Sequence, residues 1–278
     1  MKKKKAPIPT LQPGSYLIDS HCHLDMNSYE EDLDELLKRA QKQSVQSIIS
    51  IGIDEQSSIA AVKLARKYPF VKATVGVHPH DVERIDSETY PRLKKLVEEN
   101  SEQVVGYGEI GLDYVKNYSP KTLQIQTFEE QLHLAKELAL PVIIHDREAH
   151  DDCLSILKAA APFPKGGVMH CFSGDNSLAE KVLALCFYIS IPGVVTFKNG
   201  LDLQEVAKTI PLESMLIETD GPFLSPVPWR GKRNEPAYVA YTAQKIAELR
   251  GISIEEVAQQ TSANALKLFQ YSLDNQLL

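Results

Sequence analysis

The histidines of this 278-residue chain are concentrated where short apolar runs end. Asp19, His21, His23 and Asp25 alternate at the end of the first run, so in an extended strand their side chains point to one face. A His-x-His pair in this position offers two neutral nitrogen ligands to a divalent metal. Six of the eight histidines lie at predicted strand ends, which indicates a shared site: His21, His23, His78, His80, His145 and His170.

Two carboxylates complete a predicted ligand set. Glu109 lies in Gly-Glu-Ile-Gly-Leu-Asp-Tyr at the end of the fourth run, and Asp220 follows the eighth. The two oxygens of a carboxylate can each face one metal, so Glu109 is the predicted bridge between two ions. Four imidazoles and two carboxylates suit Mg²⁺, Mn²⁺ or Zn²⁺. The predicted metal ligands are His21, His23, Glu109, His145, His170 and Asp220.

Each of these residues taken singly has a simpler interpretation. A histidine at a strand end more often forms a hydrogen bond in a loop than binds a metal. Six polar groups that converge on one mouth of low dielectric constant would cost on the order of several kcal/mol unless they are paired or metal-bound. The set therefore favours a metal site, although no member of it does so alone.

The segments between these residues predict the fold that must position them. Short β-branched runs alternate with amphipathic stretches along the chain, a pattern typical of β/α units around a parallel sheet. The predicted strands are 16–19, 45–51, 71–77, 104–109, 142–145, 167–171, 187–192 and 215–218. Eight such units predict an α/β fold, a (β/α)8 TIM barrel with its site at the C-terminal mouth of the strands. An extra C-terminal helix is expected over about residues 253–269.

Composition sets the domain count and the cellular context. With 43% hydrophobic and 24% charged residues and no Gly/Ser-rich linker, residues 15–278 are predicted to form a single domain. Residues 1–14, with a run of four lysines, are expected to be a disordered basic tail. The sequence has no apolar run of about 20 residues and no apolar signal core, which predicts a cytoplasmic protein without a membrane partner. We expect a monomer. A net charge of −7 argues against passive coating of nucleic acid.

Five motifs in order along the chain resemble the TatD family of metal-dependent deoxyribonucleases. They are Asp-Ser-His-Cys-His-Leu-Asp, Gly-Val-His-Pro-His, Gly-Glu-Ile-Gly-Leu-Asp-Tyr, His-Cys-Phe-Ser-Gly and Glu-Thr-Asp-Gly-Pro-Phe-Leu. The resemblance covers nearly the whole chain, and each motif lies at the end of a different expected strand. One departure is Gly221, where the family pattern leads us to expect Ala.

The resemblance implies how the ligands are divided and what they do. One metal would be held by His21, His23 and Asp220, and a second by His145 and His170, with Glu109 shared. The implied reaction is hydrolysis of DNA phosphodiesters by metal-activated water, as a 3′ to 5′ exonuclease that prefers single-stranded ends.

Three residues are predicted to act in catalysis: Asp220, Glu109 and His78. Asp220 is the candidate acceptor for the proton of the attacking water. The alternative, given equal weight, is that Asp220 acts as a metal ligand and nothing more. His78 is expected to contact a phosphate or protonate a leaving oxygen. Glu218 is expected to orient a metal ligand or to help hold a further ion, and Asp19 to hydrogen-bond near the ligands without binding metal itself.

Substrate contacts are expected from Arg147 beside His145, and from the loop that carries Trp229, Lys232 and Arg233. The cations would bind phosphates, and the indole would stack on a base. The alternatives are an ion pair for Arg147 and, for Trp229, an anchoring role beneath its own loop.

Other functions remain open from sequence. The resemblance also implies a second possible activity, that of a deacylase acting on D-aminoacyl-tRNA esters, so RNA or tRNA is a possible partner beside DNA. Another is a cyclic amidohydrolase, although such enzymes often use a modified Lys where this chain has Glu109. The third is a metal-binding barrel without catalytic activity.

Overall fold

Eight parallel strands hydrogen-bond to one another in chain order, from β1 to β8. The computed structural model describes residues 7–116 and 118–273. The strands are β1 Leu17–Cys22, β2 Val45–Ser50, β3 Val71–Val75, β4 Val104–Asp113, β5 Val142–Arg147, β6 Gly167–Met169, β7 Tyr188–Ile191 and β8 Met215–Ile217. A bridge between Cys22 and Gly221 joins the chain after β8 to the end of β1. The predicted (β/α)8 barrel is therefore confirmed.

Amphipathic helices follow the strands and surround the barrel. They are α1 Leu33–Lys42, α2 Glu55–Lys67, α3 Thr89–Glu98, α4 Lys121–Glu137, α5 His150–Ala160, α6 Asn176–Leu183, α7 Leu201–Thr209, α8 Val239–Arg250 and α9 Ile254–Phe269. In α1, the buried residues Leu36, Leu37 and Ala40 are those whose helical spacing is visible in the sequence. The outer layer of helices thus buries the apolar faces that sequence periodicity indicates.

The extra helix α9 closes the end of the barrel opposite the predicted metal ligands. Ser253 caps its N-terminus in a capping box with Glu256. The Asn264 side-chain amide donates to the backbone oxygen of Met215 at the start of β8, 2.8 Å away. Leu268 and Phe269 pack with residues of the barrel interior. The C-terminal mouth is therefore the end left for a site.

Several predicted boundaries differ from the structure. Strand β1 continues to Cys22 and β4 to Asp113, whereas β6 stops at Met169 because the chain turns at Cys171, whose φ is 45°. The predicted tail over residues 1–14 lies outside the described residues for its first six positions. Within the rest, Ile8 and Leu11 are partly buried against the hydrophobic core, so packing starts before residue 15. Among the described residues, no helix has the length and hydropathy needed to cross a bilayer.

Candidate metal centre

The ends of β1 and β8 are tied together so that their site residues meet. Asp220 donates its backbone N–H to the backbone oxygen of His21 over 2.9 Å, and His23 donates to that of Gly221 over 2.8 Å. Asp220 has a left-handed backbone with φ of 54°, which turns the chain directly after β8. The result is that Asp220 Oδ1 lies 3.4 Å from His23 Nε2 and 3.8 Å from His21 Nε2.

Glu109 stands at the centre of the histidines. Its Oε1 lies 2.6 Å from His145 Nδ1 and 2.8 Å from His170 Nε2. Its Oε2 lies 3.2 Å from His21 Nε2 and 3.7 Å from His23 Nε2. The two oxygens thus face the two histidine pairs separately, which is the arrangement required of a bridging carboxylate.

Several buried polar atoms of this cluster form no hydrogen bond of acceptable geometry among the described residues, even where a carboxylate oxygen lies 3.2 to 3.4 Å from a ring nitrogen. They are His21 Nδ1 and Nε2, His23 Nδ1, Glu109 Oε2, His170 Nδ1 and Glu218 Oε2. Buried polar atoms are rarely left unsatisfied in native proteins, and a site for an ion is one explanation of such a group. Three sets of ligand atoms among the described residues lie close enough together to hold an ion: His21 with His23 and Asp220, His21 with His170 and Glu218, and His78 with Glu109 and His145. The donor set therefore fits divalent metals.

Burial and charge divide the histidines into two protonation classes. Burial, with the neighbouring His170, lowers the pKa of His21 to about 4, so this imidazole is neutral near pH 7. Burial also lowers the pKa of His170, but the charges of Glu109 and Glu218 outweigh it and raise that pKa well above its ordinary value. Hydrogen bonds to Asp113 and Glu109 similarly raise the pKa of His145 despite its burial. Without metal, the carboxylates thus hold protons on some of the ligand nitrogens.

We expect metal binding to release protons, because a metal and a proton compete for the same nitrogen of His145 and His170. Raising the pH removes those protons, so the apparent affinity for Mn²⁺ should increase from pH 6 to pH 8. Calorimetry in buffers of different ionisation enthalpy measures the number of protons released. An affinity independent of pH over this range would contradict the assignment.

His78 enters the cluster as a neutral imidazole. Burial and the neighbouring His145 lower its pKa to about 3. Its Nδ1 accepts the backbone N–H of His80 over 3.1 Å, which places its own proton on Nε2. Nε2 lies 3.5 Å from Glu109 Oε1. A neutral imidazole with its proton on Nε2 can donate a hydrogen bond to a phosphate oxygen, which is one of the two roles expected of His78, and protonation of a leaving oxygen stays a prediction.

The structure places Asp19 and Glu218 behind the histidines. Glu218 Oε1 lies 3.4 Å from His170 Nδ1 and accepts the backbone N–H of Cys171 over 2.7 Å. Asp19 accepts hydrogen bonds from the backbone N–H and the hydroxyl of Thr219, at 2.8 and 2.5 Å. Burial raises the pKa of Asp19 to about 8. Asp19 thus links β1 to the chain after β8, and Glu218 links the chain after β8 to the chain after β6.

Asp113 belongs to the site and was not singled out from the sequence. Its Oδ2 lies 2.8 Å from His80 Nε2 and 3.3 Å from His145 Nε2, while its Oδ1 accepts two backbone N–H groups. His145 is thus held between Asp113 on one ring nitrogen and Glu109 on the other. The available signal was the spacing of four residues between Glu109 and Asp113, which places both on one face of an extended strand.

The predicted substrate contacts fall into different surroundings. Arg147 is half exposed, and its Nη1 lies 4.0 Å from Asp113 Oδ2, beside the cluster. Arg233 forms a two-pronged ion pair with Asp32, with both distances 2.7 Å, and also donates to the backbone oxygen of Ser28. Arg233 therefore fastens its loop to the segment after β1. Lys232 is exposed on the same loop.

The indole of Trp229 packs within its own loop. It stacks on Tyr238, with ring centroids 5.1 Å apart and an interplanar angle of 14°, and its Nε1–H donates to the Tyr241 hydroxyl over 3.1 Å. One face of the ring is thus covered by Tyr238. This is the anchoring arrangement that was the alternative to base stacking.

The absence of a methyl group at position 221 has a structural reason. A Cβ on Gly221 would lie 2.5 Å from the hydroxyl of Tyr29, which donates to the backbone oxygen of Asn234 over 2.7 Å. We expect Gly221→Ala to destabilise the protein by about 1–3 kcal/mol through overpacking. Adding Tyr29→Phe removes the clashing oxygen and should recover part of that loss. Denaturant unfolding of both single variants and the double variant measures the coupling, and strict additivity would contradict this explanation.

Comparison with known proteins agrees with the family resemblance of the five sequence motifs. A model of the family "TatD related DNase" matches residues 18–270. The chain belongs to the TatD family of metal-dependent hydrolases.

Individual relatives match over nearly their full length. The chain is 44% identical over 254 residues to a protein of Bacillus subtilis named as the uncharacterized metal-dependent hydrolase YabD, covering 91% of this chain and 99% of that one. It is 38% identical over 259 residues to the 3′-5′ ssDNA/RNA exonuclease TatD of Erwinia tasmaniensis, with the same two shares. The crystal structure of the TatD homologue YjjV from Escherichia coli superposes with a TM-score of 0.88 at 32% identity, covering 92% of this chain and 98% of that one.

Proposed function

We propose that this TatD-family hydrolase is a divalent-metal-dependent nuclease that removes nucleotides from 3′ ends of single-stranded DNA. The observation that carries the proposal is Glu109, whose two oxygens face separate pairs of histidines at the barrel mouth. The similarity to a relative named as a 3′-5′ exonuclease supports the choice of bond and direction.

The ligand set proposed for two ions is shared between the two sides of Glu109. His21, His23 and Asp220 would hold one ion, and His145 and His170 the other. Bound there, a divalent ion lowers the pKa of water and neutralises charge on the phosphoryl group.

Protein side chains supply the remaining steps of the proposed mechanism. Asp220 is partly accessible, with its side chain 12% exposed, and its Oδ1 lies among the ligand nitrogens. We assign to Asp220 the role of accepting the proton of the attacking water. The Nε2–H of neutral His78 can donate a hydrogen bond to a phosphate oxygen, and Arg147 at the rim can pair with the next phosphate.

The shape of the site supports preference for ends. A barrel mouth is enclosed by its loops, so a continuous duplex about 20 Å across does not reach Glu109 at its floor, whereas a single strand can enter. The side chain of Glu109 is only 3% exposed. We therefore propose slow attack on blunt duplex and little cutting of closed circles.

The function is tested by comparing three substrates with metal-loaded protein. We expect stepwise shortening of 5′-labelled single-stranded DNA from its 3′ end, with closed circular duplex left intact. Rapid nicking of the circle would contradict end entry. Efficient release of the amino acid from D-aminoacyl-tRNA with negligible DNA shortening would move the assignment to a deacylase.

The role proposed for Arg147 predicts a salt effect. Arg147→Ala should weaken binding of single-stranded DNA and reduce the slope of log affinity against log salt by about one, because one phosphate contact is lost. Arg66→Ala, which removes an exposed cation at the far end of α2, is the matched control. An unchanged slope for Arg147→Ala would show that its contact with Asp113 is its main role.

A further inference from the structure

Two exposed aromatic side chains stand at the ends of a row of rings that crosses the mouth. Phe223 is 47% exposed and Tyr118 is 62% exposed. Neighbouring rings of the row have centroids 3.8 to 6.0 Å apart. In order, the row is Phe223, His23, His21, His170, His145, His78, His80 and Tyr118. We propose that Phe223 and Tyr118 are stacking platforms that hold unpaired bases of a nucleic-acid strand on either side of the metal centre.

Phe223 is fixed against the β1 side of the centre. Its backbone N–H donates to the backbone oxygen of Asp220 over 2.9 Å, and its own oxygen accepts the Asn234 side-chain amide over 2.7 Å. Its ring centroid lies 6.0 Å from that of His23, at an interplanar angle of 70°. A ring held by its backbone and half open to solvent binds a base without first having to be ordered.

Tyr118 is fixed against the β3 side by its neighbour in the chain. The Ser119 hydroxyl donates to the backbone oxygen of His80 over 3.1 Å, and Gln124 of α4 donates to the backbone oxygen of Ser119 over 2.9 Å. The Tyr118 ring lies 4.8 Å from the ring of His80, at 79°. The loop after β4 thus presents this ring beside His80, whose Nε2 contacts Asp113 of the site.

The cavity beside Tyr118 has the chemistry of a base site. It has a volume of about 390 Å³ and is lined by His80, Asp81, Glu83, Arg84 and Tyr118. Arg84 is paired with Asp81 at 2.9 Å. The lining therefore has two carboxylates, of Asp81 and Glu83, against one guanidinium. Such a lining disfavours a phosphate but accepts an uncharged base, whose edge offers donors and acceptors to carboxylates.

The two platforms lie on well-separated parts of the barrel rim. Phe223 follows β8, which neighbours β1, whereas Tyr118 follows β4. The scissile phosphate, placed at Glu109 between them, would have a base on each side. This inference rests on the proposed hydrolysis of phosphodiesters and assigns its substrate class, strands whose bases are unstacked near the end.

Binding is tested with single strands that carry 2-aminopurine at the terminal or the penultimate 3′ position and phosphorothioate linkages that resist hydrolysis. Mg²⁺-loaded wild-type protein should quench the fluorescence at both positions. Phe223→Ala and Tyr118→Ala should each lose quenching at one position and weaken binding about tenfold, the scale of one stacked base. Tyr118→Phe should retain quenching, and Leu224→Ala, on the same loop as Phe223, is the control.

Kinetics on cleavable strands separates stacking from a general structural defect. Both Ala variants should raise KM far more than they lower kcat, and abasic 3′ ends should remove the difference from wild type. Wild-type quenching in either Ala variant would overturn the two-platform proposal. If wild-type protein cleaves no nucleic acid, the proposed function fails, and the quenching of the uncleaved strand still decides whether these rings bind bases.

Discussion

Glu109→Ala is expected to lower the rate of DNA hydrolysis by at least about 10³-fold, a barrier increase of about 4 kcal/mol. The reason is that one carboxylate contacts both histidine pairs, so its loss disturbs both proposed ion sites at once. Asp220→Ala should produce a loss of the same order, because Asp220 is both a proposed ligand and the proposed proton acceptor. Single-turnover kinetics on a 3′ single strand measures both effects.

A matched control is available near the opposite end of β4, the strand that carries Glu109. Glu102 is exposed just before β4 begins, at the opposite end of the barrel from the mouth. Glu102→Ala should retain wild-type activity, and circular dichroism should show that all three variants are folded. Near wild-type turnover by Glu109→Ala or Asp220→Ala would make the role assigned to that residue wrong.

Removal of divalent metal is expected to abolish hydrolysis altogether, since activation of the water depends on a bound cation. Mn²⁺ or Mg²⁺ added back to the stripped wild-type protein should restore the rate. The same addition should not restore Glu109→Ala, which separates loss of the site from loss of metal during purification. Full activity in stripped protein whose metal content is nil would rule out metal-assisted chemistry.

Much of the architecture follows from local periodicity. The apolar spacing of Leu36, Leu37 and Ala40 predicts α1 because a helix places residues three and four apart on one face. The convergence of the proposed ligands was predictable for a related reason, since side chains at the C-terminal ends of barrel strands meet at one mouth. Their types and positions therefore sufficed to group them without knowledge of any contact.

The surroundings of the loop side chains were not predictable in this way. Arg233 pairs with Asp32, which lies 201 positions earlier in the chain, and local sequence carries no signal for that partner. The sequence shows that Trp229 has a ring able to stack on a base. Only the fold shows that Tyr238 covers one face of that ring. The same is true of Phe223, whose position beside His23 results from the closure of β8 onto β1.

The most direct test of the metal centre is anomalous X-ray scattering from crystals of the protein soaked in Mn²⁺. We predict two peaks at the barrel mouth, one on each side of the Glu109 carboxylate. One should be within bonding distance of His21, His23 and Asp220, and the other within bonding distance of His145 and His170. A mouth without any peak at saturating Mn²⁺, or ions bound only elsewhere on the barrel, would contradict the account.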